Sequence, residues 1–322
     1  MKPKVYVTRH LPEKAFMELI AACEVEIWDE EFPPPYEIIK DRISDKQGIL
    51  CLLTDRIDAD LLDQAPDLKV VSQCAVGYDN IDVKTATEKG IAVGNTPGVL
   101  TDATADFAFT LLMAAARNLG PAIDYVRSGN WETWGLTLLL GQEVYGATIG
   151  IIGFGRIGQA LAKRARGFNM RVIYHDTDHM IEAEKELNAV YCPLDCLLEE
   201  SDFVSLHVNL TPQTEGMISK RAFQLMKETA VLINTSRGPI VDMEALYDAL
   251  HDGLIASAAL DVTDPEPLPP DHKLLTLPNL IVTPHIASAT VKSRTNMAMM
   301  AVRNLIAGVS GKPLPTQVNK LP

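Results

Sequence analysis

Short apolar runs and amphipathic stretches alternate along almost the whole chain. Residues 5–8, 25–28, 49–53 and 70–74 are compact and apolar, and 92–94 makes a short fifth run. Between them, 12–22, 36–42, 59–64 and 83–89 carry helical spacing. Runs that are apolar throughout, with no polar alternation, suit strands buried on both faces, the habit of parallel sheets. The first hundred residues thus predict a small parallel-sheet α/β domain. A longer helix is expected at 100–118, largely apolar over 107–116, suited to crossing between domains or to a subunit interface. Residues 129–146 hold two tryptophans and little periodicity, and read as an extended arm. Alternation then resumes, with strands expected at 149–152, 171–174, 203–208, 230–235, 257–262 and 280–283. Among the helices between them, 243–250 has Asp242 as its expected cap and Gly253 at its end. A final helix at 290–308 is long enough to return to the first domain.

The run at 149–152 leads into Gly153, Gly155 and Gly158, spaced G-x-G-x-x-G, and then into a helical pattern with Gly167 at its expected stop. In a strand–turn–helix unit these glycines make the tight turn, admit a pyrophosphate, and let the helix pack onto the strand. The helix start directs free N–H groups and positive dipole density at the phosphates. Asp176 lies about 18 residues past the last glycine, at the end of the next strand, where an acid accepts from the adenosine ribose hydroxyls. An acid there also repels a 2′-phosphate, which favours NAD(H) and leaves NADP(H) as the alternative. The predicted architecture is two doubly wound parallel-sheet domains. A Rossmann NAD-binding domain (100–288) is inserted in a discontinuous, flavodoxin-like substrate domain (1–99 plus 289–322). The cleft between such domains is the default ligand site.

Three strands of the second domain end in titratable or charged groups. INTSRG supplies Arg237, ALDVTDPEP supplies Asp261 and Glu266, and VTPHIAS supplies His285. Ligands of parallel sheets lie beyond strand carboxyl ends, so these groups gather where a nicotinamide would lie. Reduction of a 2-keto acid needs a cation to hold the carboxylate and polarise the carbonyl, and Arg237 offers a bidentate fork. It also needs a proton donor, for which His285 is suited, and a carboxylate to fix that imidazole, for which Glu266 is placed. Asp261 is suited to accept from the carboxamide of a nicotinamide.

Acidic residues outnumber basic ones 42 to 29, a formal charge of −13, which argues against nucleic acid and anionic membrane surfaces as partners. Cys23, Cys51, Cys74, Cys192 and Cys196 form no metal-like set, so no metal site is expected, and reduced thiols suit a cytoplasmic protein. The N-terminal stretch has no apolar leader core, and no run is long enough to span a membrane.

GIIGFGRIG with Asp176, INTSRGPIVD, ALDVTDPEPLP and TPHIASAT together resemble the signature segments of the D-isomer-specific 2-hydroxyacid dehydrogenases. The segments at 73–83 and 95–106 also match, so the resemblance covers essentially the whole chain. Through GNWETW, LDVTDPEPLP and the last helix it is similar to the glyoxylate/hydroxypyruvate reductase group. The resemblance implies Arg237, Glu266 and His285 as catalytic residues. It implies substrate carboxylate contacts at the backbone of Val76 and Gly77, a nest of N–H groups. Cofactor contacts are implied at Arg156, Ile157, Asp176, Thr235 and Asp261, with Thr101 near the phosphates. It also implies a homodimer built around the nucleotide domain, with the arm reaching the partner and Trp134 approaching the partner's substrate. Several glyoxylate reductases use NADPH and lack an acid at the position of Asp176, a departure in this chain. Phosphoglycerate oxidation and a non-catalytic NAD(H)-sensing role are the alternatives within and beside the family.

Overall fold

The structure is a computed structural model that describes residues 2–321. In chain order the elements are β1 Lys4–Val7, α1 Glu13–Ala22, β2 Glu24–Ile27, α2 Tyr36–Arg42, β3 Gly48–Cys51, α3 Ala59–Asp63, β4 Val70–Gln73, α4 Val83–Glu88 and β5 Ala92–Gly94. Two helices follow, α5 Thr101–Ala116 and α6 Leu119–Arg127. Then come β6 Thr148–Ile152, α7 Arg156–Gly167, β7 Arg171–His175, α8 Ile181–Leu187, β8 Ala189–Tyr191, α9 Leu194–Glu200 and β9 Phe203–Leu206. The last are α10 Lys220–Leu225, β10 Val231–Asn234, α11 Met243–His251, β11 Ser257–Leu260, β12 Leu280–Val282 and α12 Val291–Val309.

The chain divides into two compact units, one of residues 1–100 and 289–322, the other of residues 101–288. In the first, five strands lie in the order β2-β1-β3-β4-β5. Every pairing is parallel. Such an order, reversing direction at its first strand, is the flavodoxin-like winding. One face is covered by α1 and α12, where Leu19, Val302 and Leu305 are fully buried, and the other by α2, α3 and α4.

The second unit holds seven parallel strands in the order β12-β11-β10-β9-β6-β7-β8. The glycine-bearing β6 is central and the winding reverses between it and β9, the Rossmann order with one strand added at the β12 edge. α5 and α7 pack on one face around Leu112, Phe154 and Leu161. α9, α10 and α11 cover the other around Leu197, Phe223 and Leu246. Asp242 caps α11, its carboxylate accepting from the N–H groups of Glu244 and Ala245, both at 3.0 Å, and Gly253 takes φ +71° just beyond. Among the described residues no helix is long and apolar enough to cross a membrane.

Several expectations shift in detail. α7 runs through Gly167, and the left-handed residue that ends it is Asn169, φ +54°. Asparagine tolerates that conformation because its side chain is short and polar. The long helix stops at Ala116 because Asn118 turns left-handed (φ +49°) and starts a separate helix, α6. No residue of α6 is buried. Strand β3 stops at Cys51, before the expected 53, since Leu52 N–H already donates to the Asp55 carboxylate at 2.7 Å.

Candidate active site

The turn after β6 is built by contacts only glycine tolerates. Gly153 sits at φ +92°, and a Cβ there would lie 2.6 Å from the backbone of His207. A Cβ on Gly158 would lie 2.2 Å from the Gly153 carbonyl oxygen, so this glycine lets α7 settle on β6. Gly155 differs, because a Cβ on it would meet no protein atom within 4 Å. Arg156 and Ile157 open α7 directly behind it. Asp176 follows β7. Its Oδ2 accepts from the N–H of Phe154 inside the glycine turn at 2.7 Å, and its Oδ1 from the N–H of Thr177 at 2.7 Å. The acid thus braces the turn as well as standing at the strand end. Beside the glycine turn, β9, which pairs with β6, ends at Leu206 and places His207, whose Nε2 lies 2.9 Å from Ser205 Oγ. Burial pushes the His207 imidazole down to about 4, which keeps it neutral. Thr101 is the first residue of α5.

At the end of β10, fully buried Asn234 folds the next turn. Its Nδ2 donates to the Arg237 carbonyl at 2.8 Å, while its Oδ1 accepts from Ser236 N–H at 3.0 Å. Arg237 Nη1 donates to the Ser236 carbonyl at 2.8 Å. A Cβ on Gly238 would lie 1.9 Å from the Thr263 carbonyl oxygen, so glycine there lets the turns after β10 and β11 touch. Thr235 is 8% exposed, and its Oγ1 has no hydrogen-bond partner among the described residues.

His285 lies three residues beyond β12 at φ +53°, a conformation a histidine holds only when its surroundings impose it. Asp261 imposes it. That residue is 1% exposed, and its carbonyl accepts from His285 N–H at 2.9 Å. Its carboxylate accepts from Thr283 Oγ1 at 2.6 Å, Ile286 N–H at 2.8 Å and Ala287 N–H at 2.7 Å. The carboxylate expected to serve a cofactor carboxamide is therefore also the clamp of the histidine turn. Glu266 Oε1 lies 2.6 Å from His285 Nδ1. That contact fixes Nδ1–H as a donor and leaves Nε2 as the nitrogen that can exchange a proton outward. Sequence reasoning had singled out neither Asn234 nor Gly238. An uncharged amide and a glycine at strand ends read as ordinary turn residues.

In the first unit, Val76 and Gly77 follow β4 at the carboxyl edge of its sheet. Among the described residues, none of the N–H groups of Val76, Gly77 and Tyr78 donates to another group. Trp134 lies in the irregular stretch after α6 and is 76% exposed, with Trp131 and Leu136 also exposed around it. All five cysteines are free, and among the described residues no cluster of three or more His, Cys, Asp or Glu side chains could hold a metal.

A glycine turn on the central strand of a Rossmann sheet, with a carboxylate-held imidazole beyond the carboxyl end of the edge strand β12, defines a nicotinamide-dependent dehydrogenase. Residues 109–287 match the model of the D-isomer specific 2-hydroxyacid dehydrogenase NAD-binding domain, and the chain belongs to that family. It is 52% identical over 321 residues to a glyoxylate reductase of Korarchaeum cryptofilum, covering 99% of this chain and 97% of that one. A solved protein of Thermus thermophilus superposes with a TM-score of 0.92 at 45% identity, over 98% of this chain and 100% of the other. The NADPH-dependent glyoxylate/hydroxypyruvate reductase of Sinorhizobium meliloti, solved with NADP and malonate, gives a TM-score of 0.88 at 33% identity, over 99% and 97%.

Proposed function

We propose that the chain reduces glyoxylate, and with it hydroxypyruvate, using NADH. The observation that carries the reading is the Glu266–His285 contact of 2.6 Å at a strand end of the Rossmann sheet. The residues present suit the cofactor. Among the described residues, a Cβ on Gly155 would meet no atom of the rest of the fold within 4 Å, at the helix start where a pyrophosphate approaches, so the glycine answers to a ligand more than to packing. The buried, unpartnered Thr235 Oγ1 offers a hydrogen bond of the kind a bound dinucleotide takes up. Gly153, Gly155, Arg156, Ile157 and Gly158 hold the phosphates, with Thr101 beside them, while Thr235 and Asp261 serve the nicotinamide end. Asp176 holds the ribose hydroxyls. Residues 175–180 contain no lysine or arginine to receive a 2′-phosphate, which supports NADH as the preferred form over NADPH.

When bound, the nicotinamide supplies the hydride that adds to the carbonyl carbon of the keto acid. His285 Nε2–H gives its proton to the carbonyl oxygen, and Glu266 stabilises the imidazolium through Nδ1 and keeps the ring in that orientation. Arg237 holds the substrate carboxylate and draws charge toward the carbonyl oxygen. In the first unit, the backbone N–H groups of Val76 and Gly77 take the carboxylate as an anion nest takes its ion. Hydride and proton together turn the keto acid into the 2-hydroxy acid.

The exposed apolar residues of α6 and of the arm (Leu119, Val126, Trp131, Trp134 and Leu136) support a homodimer made through this surface, with Trp134 reaching the partner's substrate. We assign the protein to the cytoplasm, in keeping with five unpaired cysteines. The reading is tested by following NADH and NADPH oxidation with glyoxylate, hydroxypyruvate, pyruvate and phosphohydroxypyruvate in parallel. The expected result is fastest turnover with NADH and with glyoxylate and hydroxypyruvate. Phosphohydroxypyruvate as best substrate, or no turnover with any, would overturn it.

A further inference from the structure

The nest at Val76 and Gly77 is made of backbone, and backbone binds an anion only when its N–H groups are aimed. Two carboxamide side chains in the first unit hold this backbone, one at the Gly77 carbonyl and one at the Val76 carbonyl. Gln73, fully buried at the end of β4, donates from Nε2 to the carbonyl of Gly77 at 3.2 Å and to Asn80 Oδ1 at 2.8 Å. Its Oε1 accepts from Cys51 Sγ at 3.1 Å, which settles which way the amide faces. Asn80 extends the hold, its Nδ2 donating to the carbonyls of Leu52 at 3.1 Å and Asp55 at 2.7 Å. The loop after β4 is thereby tied to the loop after β3.

Asn95, just past β5, supplies the second hold by donating from Nδ2 to the carbonyl of Val76 at 2.8 Å. It is itself fixed through its main chain. Its N–H donates to the Thr316 carbonyl at 3.2 Å, and its carbonyl accepts from Asn304 Nδ2 at 3.0 Å and Thr316 Oγ1 at 2.6 Å. A trans peptide is planar, with C=O and N–H pointing in opposite directions. The Val76 carbonyl shares its peptide with the Gly77 N–H, and the Gly77 carbonyl shares its peptide with the Tyr78 N–H. Anchoring two successive carbonyls therefore aims two successive N–H groups away from the anchors, and neither N–H donates to another group among the described residues.

We propose that Gln73 and Asn95 are positioning residues of the substrate carboxylate site, and that the Tyr78 N–H belongs to that nest alongside those of Val76 and Gly77. This rests on the reading that the keto acid carboxylate is taken by this stretch of backbone. The chemistry favours amides here. A carboxamide donates to a carbonyl while staying neutral, whereas a carboxylate would present lone pairs to that carbonyl and a negative charge beside an anion.

The test uses Gln73→Met and Asn95→Leu in the full-length protein, which keep side-chain volume and remove the donors without adding charge. KM for glyoxylate is expected to rise about tenfold in each, with KM for NADH within about twofold and kcat within about threefold, the pattern of lost uniform binding. A merely structural role would lower the melting temperature and disturb both substrates alike. Unchanged glyoxylate KM in a folded variant overturns the proposal. Should either variant fail to fold, Asn95→Ala and Gln73→Ala are read against the same outcomes. Wild-type protein that turns over none of the keto acids would instead sink the parent reading, so the two failures are distinct.

Discussion

At the carboxyl edge of the seven-stranded sheet, the strand ends carry a guanidinium, a carboxylate and an imidazole. At the same edge of the five-stranded sheet, the ends of β4 and β5 carry the carboxamides of Gln73 and Asn95 and bare peptide. Both sheets are parallel and doubly wound, so the difference lies in what each edge must do. Proton transfer and carbonyl polarisation need groups that titrate or hold charge, the roles we propose for Arg237, Glu266 and His285 of the Rossmann unit. Holding a small anion needs only aimed N–H groups, the role we propose for Val76–Tyr78 of the flavodoxin-like unit, where Gln73 and Asn95 hold the Gly77 and Val76 carbonyls. On this proposal one edge works through side chains and the other through backbone that side chains hold still.

The comparison breaks most visibly at Arg237. Replacing it with alanine is expected to lower kcat/KM for glyoxylate about a thousandfold, some 4 kcal/mol of transition-state stabilisation, while NADH still binds. Steady-state kinetics beside a fluorescence titration with NADH checks both halves. The glycines divide the cofactor turn into packing and ligand roles. Gly158→Ala forces a Cβ to 2.2 Å from the Gly153 carbonyl oxygen and should destabilise by about 2 kcal/mol in denaturant unfolding. Gly155→Ala should leave stability unchanged and weaken NADH binding, since only a ligand can meet its Cβ. For Asp176→Ala, the ratio of kcat/KM with NADH to that with NADPH should fall about tenfold, measured with glyoxylate as the common substrate.

A pH effect concerns His207, held neutral beside the glycine turn. Its folded value of about 4 lies below the ordinary 6.5, so the unfolded chain binds the extra proton between these values. Stability is therefore complete above pH 6.5 and is lost as the pH falls toward 4, by about 1.4 kcal/mol per unit. His207→Gln should flatten that part of the curve in urea unfolding at pH 5 against pH 7.

The sheet strands were largely legible in the sequence because buried parallel strands are apolar throughout and their connections are short. The edge strand β8 was not, being three residues long with Val190 more than half exposed. Helix α6 escaped for the opposite reason. It buries nothing, and the break before it is a left-handed asparagine, Asn118, with Gly120 and Pro121 inside the first turn of the new helix. The charged strand-end residues stood out because titratable groups after apolar runs are chemically conspicuous. Asn234, Gln73 and Asn95 did not, because a neutral amide announces nothing until its two hydrogen-bonding ends are seen in use. Asp261 was legible as a position, but its work of pinning the His285 turn depends on contacts across two strand ends.

The central claim is that His285, held by Glu266, gives the proton that accompanies hydride addition. The direct measurement is single-turnover reduction of glyoxylate by NADH-loaded His285→Ala, paired with NADH affinity of the same sample. The account predicts a rate about a thousandfold below wild type with NADH affinity kept within about twofold. A near-wild-type rate in the folded variant would contradict it.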